Sequence, residues 1–190
     1  HFETKPENRI PQPVIKKHEA EQMIKVAREH FGGNLADSIA ISVYSGMGYD
    51  EWTQLQACEI HWEDVPFIWV GNRPDFTLKR DVRKRKIPLV GELTGRKLIS
   101  IIKKRYEDAK GTSIPLFGDD WTNADQHRRE FNKVKNFCNI NPHVTPYCLR
   151  HSFCTWLIQA DVALPKVQKL MGHAQITTTM NYIHVADNDL

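Results

Sequence analysis

Residues 145–182 spell TPYCLRHSFCTWLIQADVALPKVQKLMGHAQITTTMNY, and the organisation of the chain's last quarter follows from them. Thr145 is a good helix cap and Pro146 suits a first helical turn, so a helix is predicted from there to about Ala160. Two shorter helices are predicted over 164–171 and 176–182. Arg150 and His151 then share the long helix, and His173 lies between the short ones. Tyr182 follows His173 by nine residues.

Outward from this segment, helical periodicity marks residues 123–138, 91–108 and 16–30. In the last of these, Ala20, Met23, Ile24, Ala27 and Phe31 recur at helical spacing, and Gly32-Gly33 ends the run. Asn34 is a suitable cap for a helix through Ile39, Ala40, Val43 and Tyr44. That helix stops near Ser45-Gly46-Met47-Gly48, and a short one is predicted over 51–57. Between residues 67 and 90 the texture changes. Residues 67–70, 76–79 and 86–90 are short, aromatic or branched, and separated by turn residues such as Gly71-Asn72-Arg73-Pro74. The expected fold is mainly α with a small three-stranded antiparallel β-sheet (α+β), as one domain over 15–190. Residues 1–14 are polar and proline-broken, and are expected to be a linker.

The bulk numbers agree. The chain has 190 residues, 41% of them hydrophobic, which is enough for one domain with a real core. No apolar run approaches the roughly 20 residues of a membrane helix, so no membrane partner is expected. The net charge is only +3, but Lys79, Arg80, Arg83, Lys84, Arg85 and Lys86 put six cations within eight residues. Such a run suits a polyanion, although alone it more often marks a solvated surface. Cys58, Cys138, Cys148 and Cys154 form no C-x-x-C pair and no zinc-like spacing, so no metal is expected. Together with the polar start, they suggest reduced thiols and a cytoplasmic protein.

Three pieces, Tyr147-Cys148-Leu149-Arg150-His151, Leu170-Met171-Gly172-His173 and Tyr182, resemble in order and spacing the C-terminal signature of the tyrosine recombinase (phage integrase) family. That signature is H-x-x-R-H, then L-x-G-H, then a tyrosine nine residues later. Residues 36–64 resemble the family's first box, and Lys86-Ile87-Pro88-Leu89 resembles the end of its β-hairpin. The resemblance implies the fold of a DNA breaking-rejoining catalytic domain, working without cofactor or metal on double-stranded DNA at attachment sites. It implies a tetramer on DNA and a monomer as an isolated domain. The N-terminal core-binding domain of such proteins is expected to be absent from this chain.

By the same resemblance, Tyr182 is the nucleophile, Arg150 the second arginine that clamps the scissile phosphate, and His173 a hydrogen-bond donor to it. His151 supports the site, and Tyr147 stands at the motif's first histidine. The hairpin general acid is Lys79, with Arg80 or Lys84 as alternatives. Arg80, Arg83, Lys84, Arg85 and Lys86 are expected to contact DNA. Two seats depart from the pattern: Tyr147 replaces that first histidine, where a phenol still donates a hydrogen bond, and the first arginine of T-G-x-R falls on Gly48. A deliberate substitution, a decayed relative, or another cation filling the space would each account for the glycine.

Forked guanidiniums bind phosphate oxygens bidentately and stay charged, and pre-placed cations stabilise charge that grows in a transition state. A tyrosine hydroxyl attacking phosphorus divides one hard step into two. The resulting expectation is site-specific DNA recombination, as in integration or excision of a mobile element. Its rivals are a catalytically impaired DNA-binding relative, favoured by Gly48, and a topoisomerase-like enzyme without a specific site. Alone, Tyr182, His173 or Arg150 would more often be structural; their order and spacing carry the assignment.

Overall fold

The computed structural model describes residues 12–73, 84–91, 96–117, 121 and 123–183. Eight α-helices follow in these residues: α1 (Lys17–Val26), α2 (Gly33–Ser45), α3 (Tyr49–Trp52), α4 (Arg96–Ala109), α5 (Ala124–Phe137), α6 (Pro146–Gln159), α7 (Leu164–Met171) and α8 (Ile176–Met180). Beside them lies a sheet in the order β1 (Ile60–His61), β2 (Phe67–Val70), β3 (Arg85–Pro88). The mainly helical fold with a three-stranded antiparallel sheet is therefore as expected.

α2 is the central helix. Its Leu35, Ala36, Ile39, Ala40, Ile41, Val43 and Tyr44 are all buried, and α1, α4, α5 and α6 pack around it. A helix buried over most of its surface, its serines included, must be enclosed by neighbours. α6 is its largest partner, with Cys148, Leu149, Phe153, Cys154, Trp156 and Leu157 buried. The first residue of the expected domain docks here: the Ile15 N–H donates to Ser152 Oγ at 2.8 Å, and Trp156 Nε1 donates to the Ile15 carbonyl at 3.0 Å. A smaller apolar cluster of Phe153, Cys154, Leu157, Val167 and Met171 joins α6 to α7, and Tyr182 packs against it.

Several boundaries differ from expectation. The first helix passes at Ala27 into a π-helical turn, Ala27–Phe31. The expected helix over 51–57 is instead α3 followed by a separate 3₁₀ turn at Ala57–Glu59. The sheet's first strand is Ile60–His61, paired to Ile68 and Phe67; the strand expected over 76–79 lies outside the described residues. In β3, which pairs Ile87 with Ile68 and Arg85 with Val70, alternate side chains face the core. Ile87 and Arg85 point inward and Lys86 points out.

Candidate active site

The site is organised by Arg150, which lies in the first half of α6 and is only 9% exposed. A buried guanidinium must find partners. Arg150 Nη1 donates to the carbonyl of Gly46 just past α2, and Nη2 to the carbonyl of Met171 at the end of α7. Nη1 also lies 3.3 Å from Glu51 Oε2 in α3. One side chain thus gathers the ends of α2 and α7 and the short α3.

Gly46 permits this closeness. Its φ of +65° is left-handed, and a Cβ there would lie 2.6 Å from Phe153 Cδ1 and 3.1 Å from Met171 Sδ. Gly48 is different. Its φ of −78° and ψ of 166° suit any residue, and a Cβ would meet only Glu51 Oε2, at 3.8 Å. Neither backbone nor neighbours require glycine there.

Glu51 is a functional candidate that sequence reasoning missed. It is buried and reaches back to accept from the Gly48 N–H at 2.8 Å. Burial alone would raise its pKa. The Arg85 guanidinium outweighs that, with Arg150 and the Gly48 N–H adding to it, and holds the carboxyl at about 2. Arg85 donates to Glu51 through Nη1 at 2.7 Å and Nη2 at 3.0 Å, and through Nε to the Leu170 carbonyl at 2.7 Å. The placement of Arg85 among surface cations for DNA is corrected by this geometry. The strand's alternation turns it inward, and its side chain is 3% exposed.

The aromatic groups converge beside Arg150. The His151 ring centroid is 5.2 Å from that of Tyr182, and the His173 ring stacks on Tyr182 at 6.1 Å with planes 16° apart. Tyr147 meets the His151 ring edge-on at 4.6 Å and is 58% exposed. Burial pushes the Tyr182 phenol well above its ordinary pKa; Cys154 and Tyr147 add to this, and Arg150 opposes it. Burial, and then Arg150, lowers the His151 imidazole to about 4, so the ring is neutral near pH 7. Burial raises the Cys154 thiol to about 12, so it stays protonated. His173 Nδ1 is 2.9 Å from the hydroxyl of Thr179, a fully buried residue in α8. Thr179 is a second position that sequence reasoning left unassigned, although it sits in the threonine run before Tyr182.

Arg150, His151, His173, Tyr182 and Tyr147 are thus brought together, with Gly48 joined to them through Glu51. Lys79, Arg80 and Arg83 lie outside the described residues. Lys84 and Lys86 are exposed. Lys86 Nζ lies 4.5 Å from the ring centroids of both Phe67 and Trp69, a cation–π seat on the sheet's outer face. The arrangement offers a half-buried phenol, a neutral imidazole beside it and a guanidinium held by backbone carbonyls, which suits nucleophilic attack on an anionic centre.

Comparison with known proteins gives a consistent result. The model of the phage integrase family matches residues 13–189. A tyrosine recombinase of Thermosipho africanus (strain TCF52B) is 31% identical over 154 residues, which cover 80% of this chain and 50% of the relative. The chain thus spans about half the length of that relative. The Tn1549 transposon integrase in complex with transposon right end DNA is similar in fold, with TM-score 0.70 and 19% identity over 97% of this chain and 67% of that one. So is the XerH site-specific recombinase bound to palindromic difH substrate in a post-cleavage complex, with TM-score 0.70 and 20% identity over 94% and 51%.

Proposed function

Because the chain belongs to the phage integrase family, we propose that it breaks and rejoins double-stranded DNA at specific attachment sites through a 3′-phosphotyrosyl link to Tyr182. The observation that carries this reading is the gathering of Arg150, His151, His173 and Tyr182 around one point. The Tyr182 oxygen attacks phosphorus, the bond to the 5′-oxygen breaks, and the phosphodiester passes to the enzyme. Raised by burial, the phenol is protonated in the resting protein, and neutral His151 is the nearby ring able to accept its proton. Arg150 clamps the non-bridging oxygens. His173 donates through Nε2, which requires Nδ1 to accept from Thr179. The leaving oxygen takes a proton from the hairpin, from Lys79, Arg80 or Lys84. Arg80, Arg83, Lys84 and Lys86 contact the DNA backbone, and Tyr147 lines the entrance to the site.

The link conserves the phosphodiester's energy, so the reverse attack by a 5′-hydroxyl reseals the strand without a nucleotide cofactor. The Tn1549 integrase and XerH were both solved on DNA, which supports the same partner here. Assembly is a tetramer on two DNA sites and a monomer without them. Such work on DNA belongs in the cytoplasm; among the described residues no helix is long and apolar enough to cross a membrane.

A labelled duplex pool, nicked and randomised around the nick, tests the reading at low salt, where phosphate-driven affinity is strongest. A covalent adduct that survives denaturation and vanishes in Tyr182→Phe is expected. Binding without adduct would favour the second reading, a catalytically silent DNA-binding relative, which the glycine at 48 supports.

A further inference from the structure

Arg85 closes the basic run in sequence, yet its guanidinium is buried against Glu51. The carboxylate faces two cations. Arg85 grips both oxygens at 2.7 and 3.0 Å, while Arg150 stands at 3.3 Å from one of them. Alone with Arg150, a carboxylate so near would cancel much of the charge that a phosphate is to meet, since Coulomb attraction is strong away from water. Two-point guanidinium–carboxylate pairs are the stronger kind, so Glu51 belongs first to Arg85. In these contacts two guanidiniums face one carboxylate.

An arginine at an inward strand position, across from Val70 and beside Ile87, is costly to bury. A packed apolar side chain would serve the sheet better. The seat next door adjoins the same group: a Cβ on Gly48 would lie 3.8 Å from the Glu51 oxygen that Arg85 Nη2 holds. Arg85 Nε also donates to the Leu170 carbonyl, three residues before His173, which ties β3 to the α7 end of the site.

We infer that Arg85 is a positioning residue that neutralises Glu51 and so keeps the charge of Arg150 available to the scissile phosphate, offsetting the cation that glycine at 48 leaves out. This rests on the reading of Tyr182 as a DNA nucleophile. It assigns Arg85 no contact with DNA.

The test measures adduct formation on the nicked, randomised pool at saturating protein, with thermal unfolding of each variant alongside. Arg85→Met leaves Glu51 to Arg150 alone, and its rate is expected to fall roughly a hundredfold. Arg85→Lys keeps the charge and is expected to stay within about tenfold of the parent, one charge-assisted contact being lost. Arg85→Met combined with Glu51→Gln restores the parent's balance of charge, and is expected to recover most of the rate. A purely mechanical brace would not be rescued that way. Arg85→Met as active as the parent, or a folded double variant or Arg85→Lys without adduct, overturns the inference. If Arg85→Met alone does not fold, the other two variants decide. Should the parent form no adduct while Gly48→Arg forms one, the offset by Arg85 fails and the Tyr182 chemistry stands. If neither forms one, both fail.

Discussion

Arg85 and Glu51 form a buried two-point ion pair, Nη1 to Oε1 at 2.7 Å and Nη2 to Oε2 at 3.0 Å, across 34 residues of chain. It fastens the inner side of β3 to α3, and through Glu51 to the Gly48 N–H and Arg150. Removing one partner of such a pair typically costs about 3–5 kcal/mol, because the other is left buried and uncompensated. The pair is therefore a structural hinge pin as well as a charge in the site.

Acid should loosen the fold in two overlapping ranges. The Glu51 carboxyl sits at about 2 in the fold against an ordinary 4.5, so its contribution is complete above about 4.5 and is lost as pH falls toward 2. His127, buried and 2.9 Å from Ser38 Oγ, is held at about 4 by burial, and His151 at about 4 by burial and Arg150. Between about 6.5 and 4 the unfolded chain binds protons that the fold refuses, so stability drops with pH there too. Thermal unfolding followed from pH 8 to 3 should show Tm falling below about 6.5. His127→Gln, which keeps a partner for Ser38 but does not titrate, should remove its share of the upper range only. An unchanged upper range in that variant would contradict the assignment.

Gly48→Arg should raise the rate of adduct formation by several-fold up to roughly a hundredfold, the usual worth of one phosphate clamp less the share that Arg85 already offsets. The backbone accepts it, since φ is −78° and the nearest atom to a new Cβ is 3.8 Å away. Unfolding should be little changed. An unchanged rate in a folded variant would mean that no arginine seat exists at this position.

Gly46→Ala should behave in the opposite way. The left-handed φ of +65° and the 2.6 Å approach to Phe153 Cδ1 give a loss of about 2–4 kcal/mol in urea unfolding, strain and overpacking together. A loss below about 1 kcal/mol, the range of an ordinary surface change, would show that the α2 end is looser than described.

Thr179→Val keeps the shape of a buried residue but removes the 2.9 Å partner of His173 Nδ1. The ring is then free to take the wrong tautomer, and the adduct rate should fall roughly tenfold or more, as for other partners that orient a catalytic imidazole. DNA affinity should hold, because no phosphate contact is lost. Equal losses in binding and rate would instead indicate a collapsed α8.

Much of the fold was legible. α4, α5 and α6 follow from long amphipathic runs and from the Thr145-Pro146 start, because burying one face fixes a 3.6-residue period. The two-residue β1 was not legible, since Ile60 and His61 are too few to display a period of two. The site divides similarly. Arg150, His173 and Tyr182 were found through motif order, and they do converge. Glu51 was missed because a buried acid looks like a surface one until its partners are placed. Arg85 was misassigned because a dense run of cations hides the strand alternation that sends one of them inward. Thr179 had no signal apart from its neighbours, since its role depends on how α8 is set against His173.

The central claim is that Tyr182 carries the DNA. Its most direct measurement is digestion of the covalent adduct and mass spectrometry of the peptide that retains a nucleotide. The account predicts a peptide containing Tyr182, joined through its phenolic oxygen to a 3′-phosphate. A nucleotide on Tyr147 or on any other side chain, or a 5′-phosphate linkage, would contradict it.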